Sequence, residues 1–343
     1  MSPNQSYHKV FIGILLLLLV CFITNISLGS VFIPWSDTLG SLIGATVEKE
    51  SWRHIIIEYR LPKALTAMLV GSGLGVSGLL MQTLFRNPLA GPFVLGISSG
   101  ASLGVALLLL GGSVAGSTIS LLLVSKWSLV VAASLGSILV LIIVMIVSIR
   151  VRDTMAILII GLMFGSITTA IVSVLSYFAP AEQLQQFIFW GFGSLGNLTW
   201  NDLLIMSVII LIGLLLAFAT IKPLNTLLLG ENYAKSLGLS IKKSRILIVI
   251  ATSLLAGSIT AFAGPIAFIG LAVPHLTRQL FHTSDHKILL PAVILFGSII
   301  MLVCDTFAQV PSSDLTLPIN AITSLIGAPV IIWLLVRKRK MLF

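Results

Sequence analysis

The stretch "MQTLFRNPLAGPFVLGISSGASLG" (Met81 to Gly104) lies in an apolar region of a 343-residue chain, yet it holds Pro88, Pro92, several glycines and Arg86. In lipid the backbone must satisfy its own hydrogen bonds and a charge is costly, so a spanning helix should avoid all three residue types. The reading that reconciles them is a helix that ends near Phe85, a turn at the membrane boundary, and a new helix opening in the glycine-rich run.

Composition agrees with a lipid environment. Hydrophobic residues make up 57% of the chain and charged residues 9%, against about a quarter charged in a soluble domain. Charge-free stretches run over 10–36, 64–85, 87–125, 127–149, 154–181, 203–221, 246–277, 288–304 and 315–336. A span takes about 20 apolar residues, so 87–125 and 246–277 are too long for one each. In the first, Gly111-Gly112 and the Ser/Gly run after it mark a loop. In the second, the Gly-Pro pair of "AFAGPIAFIG" marks a break between two spans. The expected fold is an all-α membrane protein of about ten transmembrane helices, the eighth short and running past His275 to about Phe281.

Charge placement orients these spans. With the N-terminus inside, the inner segments hold Lys9, Arg86, Arg150, Arg152, Lys222, Lys235, Lys242, Lys243, Arg245, Arg278, Lys287 and the tail Arg337 to Lys340, 15 of the 20 basic residues. The outer segments hold Lys49, Arg53, Arg60, Lys63 and Lys126. This asymmetry follows the positive-inside rule and puts both termini in the cytoplasm. The net charge of +9 is then a matter of topology, and its dispersal argues against nucleic acid as a partner. Residues 1–30 also suit a signal peptide with Ser27 and Gly29 near the cleavage site, but removing them would leave nine spans and a mismatched tail. Cys21 and Cys304 both fall within spans, so no disulfide is expected between them.

Most candidate chemistry has a plainer explanation. The chain has no P-loop pattern, and "GSGLGVSG" (Gly71 to Gly78) reads as close helix packing by small residues. His282, Asp285 and His286 are metal-ligand types in an inner turn, but they read as a polar loop, and no metal or other cofactor is expected. His275 reads as a polar residue at a helix end, and Asp305 as a lone carboxylate at the outer rim. One acid without a buried partner does not make an ion relay, and no cluster suits a membrane enzyme, so no catalytic residue is expected. Ser166, Thr169, Ser173 and Ser176 share one side of the fifth helix. They either bond back to their own helix or wall a polar passage.

The inner segment "LNTLLLGENYAKSLGLSIKKSR" (Leu224 to Arg245) predicts a short helix carrying Leu227, Leu228, Ala234 and Leu237, stopped at Gly238, then a second short piece, "SIKKSR". An apolar-faced pair without a partner in its own chain calls for a partner protein or a lipid surface. A further pattern links "LAGPFVLG" (Leu89 to Gly96) with "FAGPIAFIG" (Phe262 to Gly270). The first opens helix three inside and the second helix eight outside, as inverted repeats in transporters would.

Four motifs in order resemble the FecCD family over about Ser51 to Val336: "YRLPKALTAMLVGSGLGVSGLLMQTLFRNPLAGPFVLGISSGASLG", "LLLGENYAKSLGL", "FAGPIAFIGLAVPHLTR" with "DHKILLP", and "LIGAPVIIWLL". The resemblance implies a single permease domain over 1–343, in the cell membrane, of an ATP-driven importer for iron-siderophores, haem or cobalamin. It implies a second permease subunit, identical or not, two ATP-binding subunits inside and an extracytoplasmic solute-binding protein outside. An iron(III)-siderophore is the expected cargo. By resemblance, Leu228, Gly230, Glu231, Ala234, Leu237 and Gly238 belong to the segment coupled to the ATPases, and Arg60 and Lys63 to the docking face. Arg86, Asn87 and Pro88 match an inner "RNPLA" turn. The chain departs from the family at Gln309, where a third basic residue is common, and at "TLPIN" (Thr316 to Asn320), where "ELPVG" is usual.

Overall fold

A computed structural model describes residues 3–111, 125–150, 154–311, 313 and 315–336. Arg152, the tail from Arg337 to Lys340 and the Ser/Gly run from Gly112 lie outside the described residues. Among the described residues the chain is helical, with no strand. It begins with α1 (Pro3–Ser27), α2 (Trp35–Ile43) and α3 (Glu50–His54), which continues through a π-helical stretch (Ile55–Arg60) into α4 (Leu61–Leu84). A 3-10 turn (Pro92–Leu95) leads to α5 (Ile97–Leu109), then α6 (Lys126–Arg150), α7 (Thr154–Phe178), α8 (Ala181–Gly191) and α9 (Trp200–Ala219). The short α10 (Ile221–Leu228) and α11 (Glu231–Ser236) precede α12 (Ile241–Ala263), α13 (Ile269–Phe281), α14 (His286–Ala308) and α15 (Ile319–Val336).

Among the described residues, seven helical stretches are long and apolar enough to cross a membrane: α1, α3 with α4, α6, α7, α9, α12 and α14. The shorter α5, α13 and α15 stand where the sequence places the third, eighth and tenth spans. Two further helices, α2 and α8, lie largely between the charge-free stretches. They are 9 and 11 residues long, too short for the hydropathy pattern to reveal.

The chain forms two compact units. One comprises Met1–Leu79, Ser194–Val208 and Ile266–Phe343; the other comprises Leu80–Gly193 and Ile209–Pro265. Each brings helix backbones together at glycine. In the first unit Gly71 of α4 faces Gly297 of α14, and a Cβ on either would strike the other's carbonyl. In the second, Gly100 of α5 faces Gly136 of α6 in the same reciprocal way. Lipid tails are as apolar as leucine, so association rests on such close contact rather than on hydrophobic transfer. The second unit adds an apolar cluster of Ala101, Val105, Leu109, Leu110, Val130 and Leu175, drawn from α5, the residue after it, α6 and α7.

The breaks read from the sequence occur where it puts them. Helix α4 ends at Leu84, Arg86 takes a left-handed conformation (φ 47°), and Asn87 Oδ1 accepts the Leu89 N–H at 2.9 Å. Pro88 follows Asn87 within this turn, so neither it nor Arg86 interrupts a span. The chain then enters α5 through Gly96 (φ 75°). At the second break α12 ends at Ala263, Gly264 has φ 76°, and Phe268 (φ 65°) leads into α13.

Candidate functional site

The inner segment differs from its sequence reading in two ways. The expected single helix is broken at Gly230 (φ 101°), which gives α10 and α11. The expected separate piece "SIKKSR" is instead the beginning of α12, which starts at Ile241 without a second break. Thr220 alone separates α9 from α10, so Pro223 falls in the first turn of α10, where its missing N–H costs nothing. Gly238 has φ 81° and turns the chain after α11, with open space around the position a side chain would take.

This pair of helices is amphipathic. Leu224, Leu227 and Ala234 are buried, whereas Leu229, Tyr233 and Leu237 are exposed. Leu228 and Gly230 are half-buried, and Gly238 is exposed. Glu231 Oε1 pairs with Arg245 Nη2 at 3.3 Å, fastening the first residue of α11 to the first turns of α12. The Arg86 guanidinium lies beside Gly230, so the "RNPLA" turn touches the hinge between the two short helices. Glu231 therefore serves an internal bond, a role that no local pattern in the sequence signals.

The hydroxyl face of α7 adjoins a cavity of about 510 Å³ within the second unit. Ser166, Thr169 and Ser173 line it together with Ser99, Phe93 and Gly165, among others. Ser176, expected on the same face, is not among its lining residues. Each of the three hydroxyls donates back along α7: Ser166 to Leu162 (3.2 Å), Thr169 to Gly165 (2.8 Å) and Ser173 to Thr169 (2.9 Å). The bonding back along the helix is thus present at all three. The donors are used within the helix, while the oxygens keep acceptor capacity toward a wall that carries no charge. Helix α7 is also the least buried of the seven spans, at 17% of its apolar window.

In the first unit, Arg60 and Lys63 both bind within the chain. Arg60 Nη1 donates to the Ile26 and Ser27 carbonyls at 2.8 Å each, and Nη2 donates to the Val31 carbonyl. A guanidinium on the last carbonyls of α1 closes that helix and complements its dipole. Lys63 Nζ lies 3.1 Å from Asp305 Oδ1; the two side chains are 23% and 2% exposed. Asn25 Nδ2 (3.0 Å) and Gln309 Nε2 (2.7 Å) both donate to Asp305 Oδ2. The C-terminal ends of α1 and α14 and the N-terminal end of α4 thus meet on one buried carboxylate. Gln309, which departs from the family, completes its hydrogen bonding. The other departure has a role too, since Asn320 Oδ1 accepts the Ala267 N–H at 3.0 Å. Thr316 is exposed.

The residues with metal-ligand chemistry do not converge. Asp285 caps α14 by accepting the Lys287 N–H at 2.9 Å, and His282 ends α13 with φ 49°. His286 and His275 are buried. Among the described residues no group of three His, Cys, Asp or Glu side chains is placed to hold a metal ion. Cys21 and Cys304 are free thiols.

Comparison with known proteins adds the following. The model of the FecCD transport family matches residues 17–337. The vitamin B12 import system permease protein of Klebsiella pneumoniae is 37% identical over 99% of this chain and 96% of its own length. The hemin transport system permease protein of Yersinia pestis is 36% identical over 97% of each chain. Among solved structures, a metal-chelate type ABC transporter in an inward-facing conformation superposes with a TM-score of 0.83 at 30% identity, covering 96% of this chain and 99% of that one.

Proposed function

The chain belongs to the FecCD transport family and is an ABC importer permease, a membrane translocation subunit and not an enzyme; from that premise we propose how its parts divide the work. The family fixes the class of machine, and ATP hydrolysis falls to a separate subunit. We read residues 1–343 as one permease domain that comprises both compact units, with ten crossings and both termini in the cytoplasm. The seven long spans and the short α5, α13 and α15 supply that number, and the distribution of basic residues supplies the orientation.

The cavity beside α7 carries the reading of the cargo. Its wall of hydroxyls and glycines has no charge, so it offers neither an ion pair nor a dedicated ligand to what passes. Such a wall suits a bulky metal chelate whose charges are already satisfied by its metal. An iron(III)-siderophore fits this description; the relatives named for hemin and vitamin B12 support haem and cobalamin as the alternative cargoes. Selection among chelates then rests with an extracytoplasmic binding protein that delivers them. The outer face around Arg60 and Lys63 is its proposed seat, with the two cations holding that face together from within.

Helices α10 and α11 are the proposed contact with two ATP-binding subunits, one for each copy in a permease dimer. Leu228 and Leu237 supply the apolar contact, Ala234 packs the helix pair from within, Gly230 and Gly238 supply the turns, and Glu231 the fastening to α12. Gly238→Val tests this assignment, because a β-branched residue resists φ 81° while the open space around it leaves packing untouched. The variant complex should insert normally but lose most of its chelate-stimulated ATP hydrolysis and uptake. Normal hydrolysis and uptake would refute the assignment. The same vesicles, offered an iron(III)-siderophore, haem and cobalamin in turn with the matching binding protein, identify the cargo.

A further inference from the structure

Helix α2 is built inside out. Its buried residues are Thr38, Gly40 and Ser41, whereas Trp35, Leu39 and Ile43 are 52%, 44% and 80% exposed. The three exposed side chains recur every four residues, so they form one stripe along the helix. Val31 and Phe32, just before the helix, are exposed as well. In water this arrangement would show the apolar face of a nine-residue helix to solvent and hide its small, polar one. An apolar surface must cover the stripe.

We propose that α2 lies flat in the outer surface of the bilayer with Trp35, Leu39 and Ile43 against lipid. Height is the first argument. Arg60 holds the carbonyls of Ile26, Ser27 and Val31 together, so residues 28–34 form a tight link and α2 starts immediately beyond the end of the α1 span. Continuity is the second. Leu15, Leu16, Leu19 and Val20 of α1 are exposed apolar residues of a membrane span, and Val31, Phe32 and Trp35 carry the same character past its end. Chemistry is the third. Tryptophan is enriched where the hydrocarbon meets the headgroups. The only charge on α2 is Asp37, which turns from the stripe to accept the Glu48 N–H at 3.0 Å. The exposed charges Glu48, Lys49 and Glu50 begin only after the left-handed Gly44 has ended the helix. A short amphipathic helix lying in the interface has this pattern. A docking site for a soluble protein would instead place these charges around the apolar stripe as a rim.

The test uses the full chain in vesicles of phosphatidylethanolamine and phosphatidylglycerol. Spin labels on Leu39→Cys and Ile43→Cys, with Cys21 and Cys304 replaced by alanine, are relaxed by oxygen and by a water-soluble nickel chelate. The ratio of oxygen to nickel accessibility at 39 and 43 should exceed that at Lys49→Cys several-fold. The native chain provides a second measurement that needs no cysteine replacement. Photoactivation of phospholipids carrying a reactive group high on the acyl chain should leave adducts on the peptide containing Trp35 to Ile43. Nickel accessibility at 39 and 43 equal to that at 49 would mean a water-facing helix and overturn the proposal. Low accessibility to both reagents without lipid adducts would overturn it too, in favour of a protein cover such as a second copy of this chain.

Discussion

The turn over residues 89–96 and the turn over 262–270 both contain Ala-Gly-Pro, and each delivers the chain into a 13-residue helix through a left-handed residue. In the first turn that residue is Gly96, for which φ 75° carries no steric penalty. In the second it is Phe268, for which φ 65° is strained. The compensation is visible within the same unit. Asn320 accepts the N–H of the preceding Ala267, and position 327 is a glycine, where a Cβ would collide with the Phe268 side chain. A glycine solves the first turn locally. The second is solved by partners on α15, more than fifty residues away in sequence. Repeated letters thus fix where the chain breaks, while tertiary contacts decide which residue bears the strain.

This difference can be tested by substitution. The largest effect is expected at Gly264→Val. Besides φ 76°, the new side chain would meet the backbone of Trp190 at 2.7 Å and of Gly193 at 2.9 Å, and backbone cannot move aside. A loss of ~3 kcal/mol or more is expected, seen as a lowered thermal midpoint of the purified protein and poor recovery from the membrane. Gly96→Val carries the same backbone penalty, but its nearest neighbour is a Val140 methyl at 3.0 Å, which can yield. About 2 kcal/mol is expected there. If the two variants lose equally, backbone strain alone sets the cost.

Asn320→Gly restores the residue usual in the family and removes the bond to Ala267, for about 1 kcal/mol in the same thermal assay. An unchanged midpoint would mean that Asn320 does not support the turn. Phe268→Gly should change least. Relief of about 1 kcal/mol of left-handed strain opposes the loss of a half-buried ring over Gly327. A large loss in that variant would show that the ring, and not the backbone, holds the turn.

Much of the fold was legible because lipid leaves few options for a backbone. Charge-free length located the long spans, and Gly-Pro at 264–265 divided a stretch that length alone leaves ambiguous. Gly238 was legible as a turn, whereas Gly230 was not, since the apolar residues on either side of it suit one continuous helix. The roles of Arg60 and Lys63 were hidden for another reason. From sequence they are two cations at a span's mouth, and nothing local reveals that their partners lie in α1 and at Asp305. The hydroxyls of α7 were legible as a face, and three of the four line the cavity. The helix α2 was missed because its nine residues are too few for an apolar period to stand out beside the long spans.

The buried carboxylate of Asp305 also imposes an order in time. Its partners Asn25 and Lys63 are synthesised before the carboxylate itself, with most of the described helices between them. The first unit therefore completes this cluster only after most of the second has been synthesised. Until α14 enters the bilayer, Lys63 has to be accommodated by water or headgroups at the membrane surface, and the helices from α5 to α13 are translated while that charge waits.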